Sequence, residues 1–170
     1  MTLGKRKGSS FEREYAKKIS LWLSNNKNAD SVWRSSGSGS KATITNSKIQ
    51  CGDLISVSEE SKEFFDKFSV ELKNYKAFDL FSIINKNFLL IDWWNQCVND
   101  AKRANKIPLL IFRINRKGDW VVLEKHNLAV DYSKSIEVTH SGNRVIIIPA
   151  DSFFGLKFED IFLLKDENGN

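Results

Sequence analysis

The stretch Val70-Glu71-Leu72-Lys73, read with Gly52-Asp53-Leu54 upstream of it, constrains the fold more than any other part of the chain. In a strand, side chains i and i+2 share a face. Val70 and Leu72 therefore turn into a core, while Glu71 and Lys73 project together on the other side. Asp53 opens a further strand-like run, Asp53-Leu54-Ile55-Ser56-Val57, which puts its carboxylate at a strand end. Taken alone, Glu-x-Lys is most often a solvated strand face with a weak ion pair, and Gly-Asp is as often a turn. In combination they bring two carboxylates and one ammonium to the edge of a sheet. Such a set suits a hard divalent cation, magnesium first, with the lysine orienting or deprotonating a water beside it.

The rest of the chain bears on that chemistry. With 170 residues, 41% of them hydrophobic, the chain has the size of one globular domain with a true core, spanning 1–170. No apolar run approaches the length of a membrane span. Two cysteines, Cys51 and Cys97, make neither a disulfide framework nor a four-ligand zinc site. Two histidines, His126 and His140, argue against zinc chemistry of the histidine type. The N-terminus is basic but no apolar signal core follows it, so a cytoplasmic protein is expected.

The net charge is +5, and its distribution carries more information than its size. Residues 1–50 hold 10 Lys/Arg against 3 Asp/Glu, a balance of +7, and the other 120 residues hold 16 against 18, a balance of −2. Positive charge gathered at one end is the footprint of a polyanionic partner, nucleic acid above all, although a solubilising tail has the same composition. A metal site of carboxylates joined to a nucleic-acid footprint points to a metal-dependent nuclease.

Residues 1–8 read as a flexible basic arm carrying Lys5, Arg6 and Lys7. Ser9-Ser10-Phe11-Glu12 looks like a capping box, and Phe11, Tyr15, Ile19 and Trp22 follow as one helical stripe. Ser31 to Arg34 is a short strand. It runs into a Ser/Gly-rich loop over 35–48, whose composition alone suits a linker. Flanked by Arg34 and Lys41, such a loop can also approach a phosphate backbone closely and donate hydrogen bonds to it. Ser58 to Phe68 is a charged connection of one or two helical turns, Ser69 to Lys73 a strand, and Asn74-Tyr75-Lys76 a turn. A short helix over Ala77 to Ile84 and a longer one over Phe88 to Ala104 come next. Ile107 to Ile114 and Asp119 to Glu124 form a hairpin, and Arg144 to Ile148 is a strand that ends at Pro149. The aromatic stretch Phe153 to Leu164 reads as a packing helix or a dimer contact. Trp22, Trp93, Trp94 and Trp120 are assigned to the core, with Trp33 and Tyr75 left between core and base stacking. Helices and strands in this order predict an α/β fold, a central mixed β-sheet flanked by helices.

In order and spacing, Lys5-Arg6-Lys7-Gly8-Ser9-Ser10-Phe11-Glu12-Arg13-Glu14, Val32-Trp33-Arg34, Ser38-Gly39-Ser40-Lys41, Gly52-Asp53-Leu54 and Val70-Glu71-Leu72-Lys73 resemble an archaeal-type Holliday-junction resolvase, of the PD-(D/E)xK nuclease superfamily. The resemblance covers the first 75 residues best and continues loosely to about Phe112. It leaves 126–170 as a C-terminal extension. The chain departs from the pattern in having Gly52 where the superfamily often has proline, and in the length of the 58–68 segment.

The resemblance implies a restriction-endonuclease-like core and a Mg²⁺-dependent endodeoxyribonuclease, with Mn²⁺ able to substitute. It implies catalytic roles for Glu12, Ser38, Asp53, Glu71 and Lys73. The metal would be held by Asp53, Glu71 and the Leu72 carbonyl, with Glu12 joining through a second ion or a water. Gln96 is a candidate for a supporting contact. Phosphate contacts would come from Lys5, Arg6, Lys7, Arg13, Arg34, Ser38, Ser40 and Lys41. The implied substrate is branched DNA, a four-way junction cut symmetrically by a homodimer, with no membrane involved. The same residues serve a restriction-type or nicking endonuclease on duplex DNA, and a non-catalytic DNA-binding module would keep only the basic positions.

Overall fold

The computed structural model describes residues 3–35, 51–75, 89–125 and 132–162. In chain order these form α1 (Leu3–Leu23), β1 (Val32–Arg34), β2 (Leu54–Ser56), α2 (Glu59–Lys67), β3 (Phe68–Tyr75), α3 (Leu89–Ala104), β4 (Ile107–Ile114) and β5 (Gly118–Glu124). A 3₁₀ turn (Tyr132–Lys134), β6 (Ile136–His140), β7 (Asn143–Pro149), α4 (Ala150–Phe154) and a second 3₁₀ turn (Glu159–Phe162) complete them.

The main sheet has five strands in the order β3-β4-β5-β7-β6. Only β3 and β4 run parallel, joined across α3, and the other pairs are antiparallel. Both faces of the sheet are covered. On one side Val70, Leu72, Leu109, Ile111, Val121, Leu123, Ile146 and Ile148 pack against Phe11, Tyr15 and Ile19 of α1, Phe64 and Phe65 of α2, and Phe153 of α4. On the other, Leu110, Phe112, Ile114, Val122, Val145 and Ile147 pack against Leu90, Trp94 and Cys97 of α3. That two-sided burial is why β4 reads as the unbroken apolar run Leu109 to Phe112. The α/β class expected from the sequence, a mixed sheet between helices, is the one observed. Among the described residues no helix is long and apolar enough to cross a membrane.

A second sheet of two strands, β1 antiparallel to β2, lies beside the free edge of β3. Asp53, just before β2, joins the two sheets through its backbone. Its N–H donates to the Val70 carbonyl at 2.8 Å, and its own carbonyl accepts from the Ser35 N–H at 2.8 Å. Gly52 makes this possible. Its φ is +94°, and a Cβ there would lie 2.6 Å from the Val70 carbonyl oxygen. Glycine stands in place of the expected proline because only glycine reaches that backbone shape with β3 so close.

Several local expectations change. α1 begins at Leu3, so the basic residues Lys5, Arg6 and Lys7 lie on its first turns rather than on an arm, and the Ser9 capping box falls inside the helix. Serine and glycine are weak helix formers, but that preference is overridden once the ladder of backbone bonds continues through them. α2 has nine residues, longer than a one- or two-turn connection, because burying Phe64 and Phe65 needs its full length. β3 runs on through Tyr75 rather than turning at Asn74, its register with β4 extending to Tyr75 against Ile114. The strand β6 was not anticipated. It is an edge strand with Ile136 exposed, so it lacks the apolar pattern of a core strand. Its local signal is the two-residue turn Ser141-Gly142, both at positive φ, as a tight hairpin requires. The short helix expected over Ala77 to Ile84, the residue Phe88 and the Ser/Gly loop beyond Ser35 lie outside the described residues.

Candidate active site

The predicted alternation along β3 is present. Val70 and Leu72 enter the core below the sheet, and Glu71 and Lys73 share the opposite face, toward α3. Lys73 Nζ donates to Glu71 Oε1 at 2.6 Å. Gln96, on α3, closes the group from the other side: its Nε2 donates to the same Glu71 oxygen at 3.0 Å, and its Oε1 accepts from Lys73 at 3.1 Å. One amide thus touches both members of the Glu-x-Lys pair.

Asp53 approaches β3 from the other direction. Its Oδ2 accepts the Leu72 backbone N–H at 2.8 Å. Because N–H and C=O of one strand residue point to the same edge, the Leu72 carbonyl shares that free edge with the Asp53 carboxylate. Asp53 and Glu71 are both more than nine-tenths buried, with relative exposures of 8% and 5%. Burial, reinforced by the charge of Glu71, pushes the Asp53 carboxyl up to about 7, against the opposing Leu72 hydrogen bond. Burial likewise raises Glu71, against the pull of Lys73.

Glu12 stands apart from this pair. Its Oε2 accepts from Nε of Arg34 across α1 and β1, a relationship between residues too distant in sequence for any local pattern to reveal. Its charge still reaches the centre, adding to the upward push on Asp53 and on Glu71. Arg13 is exposed on α1. Ser38, Ser40 and Lys41 lie outside the described residues.

α1 is held against the sheet by a polar clamp that the sequence did not suggest. Arg113 on β4 donates from Nη1 and Nη2 to the two carboxylate oxygens of Glu14, at 2.7 and 2.5 Å, and from Nε to Asp119 Oδ1 at 2.6 Å. Tyr15 Oη donates to Asp119 Oδ2 at 2.8 Å. Burial pushes the Asp119 carboxyl up, but the Arg113 and Tyr15 hydrogen bonds outweigh it and hold the group below the usual range.

As arranged, no three His, Cys, Asp or Glu side chains among the described residues converge tightly enough to hold an ion. Glu12 is turned to Arg34, and Glu71 to Lys73 and Gln96. The donor set nevertheless has the chemistry a hard dication takes: carboxylate oxygens and a backbone carbonyl, all oxygen. Burial raises the Asp53 and Glu71 carboxyls by penalising their charged forms, and a bound cation would stabilise those forms.

A family model described as "Phage putative PDDEXK endonuclease" matches residues 4–159. The match takes in β6 and β7, two of the five strands of the main sheet, which the sequence had set apart in an extension after residue 125. No curated protein and no solved structure matches the chain. The letters of the family name describe a motif aspartate and an acidic-x-lysine strand, and the matched range includes Asp53 and, on β3, Glu71-Leu72-Lys73. The chain belongs to this phage PDDEXK endonuclease family, within the PD-(D/E)xK superfamily.

Proposed function

We propose that the protein is a divalent-metal-dependent endonuclease that hydrolyses phosphodiester bonds in branched DNA, a four-way junction being its preferred substrate, and that it acts in the cytoplasm as a homodimer cutting two strands. The observation that carries the nuclease reading is the buried Asp53–Glu71 pair on the β3 edge, with Lys73 beside it. The junction preference rests on the spaced resemblance through Lys73, not on the family match, which speaks of an endonuclease alone.

Asp53, Glu71 and the Leu72 carbonyl are the proposed metal-holding groups for Mg²⁺, with Mn²⁺ as substitute, and Glu12 is the outer carboxylate. When bound, a divalent cation supplies Lewis-acid stabilisation of the phosphoryl charge and an acidified water. The chain's own residues do the remaining work. Lys73 offers its ammonium protons to the attacking water and to the negative charge that grows on phosphorus. Gln96 keeps Lys73 and Glu71 from drifting apart. Arg34, Arg13 and the basic first turns of α1 (Lys5, Arg6, Lys7), with Ser38, Ser40 and Lys41 of the loop, bind phosphates, and Ser38 also takes part in catalysis.

The test uses labelled four-way junction and matched linear duplex, with and without Mg²⁺, for the native chain and Asp53→Asn. Mg²⁺-dependent nicking of the junction, lost in the variant, is expected. Cutting of duplex at defined sequences would replace the junction reading with a restriction-type one. No cutting of either DNA in Mg²⁺ or Mn²⁺ would overturn the enzyme.

A further inference from the structure

Between α1 and β1, next to the site, lies an open groove of about 560 Å³ lined by Arg13, Ala16 and Lys17 from the helix and by Asp30, Trp33 and Arg34 from the strand side. A volume of that order suits a small ligand or a segment of one chain. Arg13, Ala16 and Lys17 sit at i, i+3 and i+4, one face of α1. The lining holds three cations against the carboxylate of Asp30. Arg34 of this lining also pairs with Glu12, one of the carboxylates proposed for the active site. Arg13 and Lys17 are both exposed, and neither makes an ion pair among the described residues.

The rim of this groove carries the one exposed tryptophan of the chain. Trp33 is 60% exposed, whereas Trp94 is buried in the core beneath α3 and Trp22, Trp93 and Trp120 pack against the cores half-buried. Strand alternation explains the direction: Val32 fills the core, so Trp33 must face away from it. Alternation does not explain the residue. A solvent-facing position on a three-residue strand is ordinarily polar, and the ring gains no burial there. An aromatic face beside unpaired cations is what a splayed base and its phosphates require. The charge of the lining favours such a polyanion over an apolar protein partner.

We infer that the α1–β1 groove binds a single DNA strand, with one unpaired base stacked on Trp33 and its flanking phosphates held by Arg13 and Lys17. This rests on the nuclease reading and adds to it how the enzyme tells DNA with unpaired nucleotides from perfect duplex. A base inside a helix has both faces occupied, whereas a base at a fork, flap or branch point offers one to the indole.

The experiment is binding without cutting. Anisotropy of labelled oligo(dT), a forked duplex and a blunt duplex is measured in EDTA for the native chain, Trp33→Ala, Trp33→Phe and Lys17→Ala. Trp33→Ala should weaken oligo(dT) and fork binding roughly tenfold while leaving blunt duplex within about twofold, and Trp33→Phe should restore most of the loss. Lys17→Ala should weaken oligo(dT) and fork binding and reduce their salt slope by about one. Tryptophan fluorescence should be quenched by oligo(dT) in the native chain and not in Trp33→Phe. Unchanged oligo(dT) affinity in Trp33→Ala, or equal loss on every DNA, overturns the groove and leaves the nuclease intact if junction cutting persists. A native chain that binds none of these DNAs overturns the groove, and the nuclease reading falls with it only if junction cutting in Mg²⁺ is also absent.

Discussion

The Asp53 carboxylate accepts the backbone N–H of Leu72, two strand segments meeting through a side chain where a ladder bond would otherwise stand. β3 therefore has its edge finished by an acid rather than by another strand. The strand that carries Glu71 and Lys73 is fixed at the point where the Leu72 carbonyl turns outward. Removing the acid alters both charge and edge.

Asp53 makes the metal-free protein weakest at neutral to alkaline pH. Its folded carboxyl sits at about 7, against the ordinary 3.8. A group raised on folding contributes stability below its unfolded pKa and loses it as pH rises through the folded one. Thermal unfolding in EDTA should show a falling midpoint between about pH 4 and pH 7, and Asp53→Asn should flatten that fall. Ca²⁺ or Mg²⁺ at pH 8 should restore the native midpoint and leave the variant's unmoved. A pH-independent midpoint in EDTA would contradict the buried carboxylate pair.

Asp119 titrates with the opposite sign. Held low by Arg113 and Tyr15, it contributes stability above the unfolded pKa and loses it as pH falls through the folded one, in the strongly acid range. Tyr15→Phe keeps the ring contact with Phe11 at 4.8 Å but deletes the hydrogen bond to Asp119. Loss of a bond to a charged group should cost ~1.5–3 kcal/mol in urea unfolding. A cost near zero would mean the clamp does not hold α1.

Gly52→Ala meets two obstacles at once, a positive φ and the Val70 carbonyl at 2.6 Å. Backbone displacement should cost about 1–3 kcal/mol and shift Asp53 away from Leu72. Cleavage should fall further than stability does, which parallel denaturation and rate measurements would reveal. Gly118→Ala is the control, since its φ is also positive but nothing lies within 4 Å.

Gln96→Ala leaves Glu71 and Lys73 paired but unsteadied. Residues that orient a metal-site ligand typically change activity or metal affinity by about 10- to 100-fold. A loss of that order in cleavage rate is expected, accompanied by weaker Ca²⁺ binding in calorimetry. An unchanged rate would reduce Gln96 to a packing residue.

What could be read from the sequence was what neighbouring residues decide. Val70 to Lys73 alternates by strand geometry, and Phe11, Tyr15 and Ile19 repeat by helix geometry, so both elements and their buried faces were legible. Asp53 was legible as a strand-end carboxylate. The Glu12–Arg34 pair, the Arg113 clamp and the tight approach of Gly52 to Val70 were not, because each joins segments far apart in the chain. β6 was missed for another reason: an exposed edge strand needs no apolar face, and its Ser-Gly turn was the sole local mark. The early start of α1 was hidden by glycine and serine, whose local preferences the helix overrides.

The crossover from β3 through α3 to β4 also means that the proposed site is complete only late in synthesis. By Lys73 the ribosome has supplied Glu12, Asp53, Glu71 and Lys73. The strand that bears two of them has no partner on its inner side until Ile107 to Ile114 is synthesised, and Gln96 arrives only with α3. A truncated or stalled product therefore carries the acids without the scaffold that orients them.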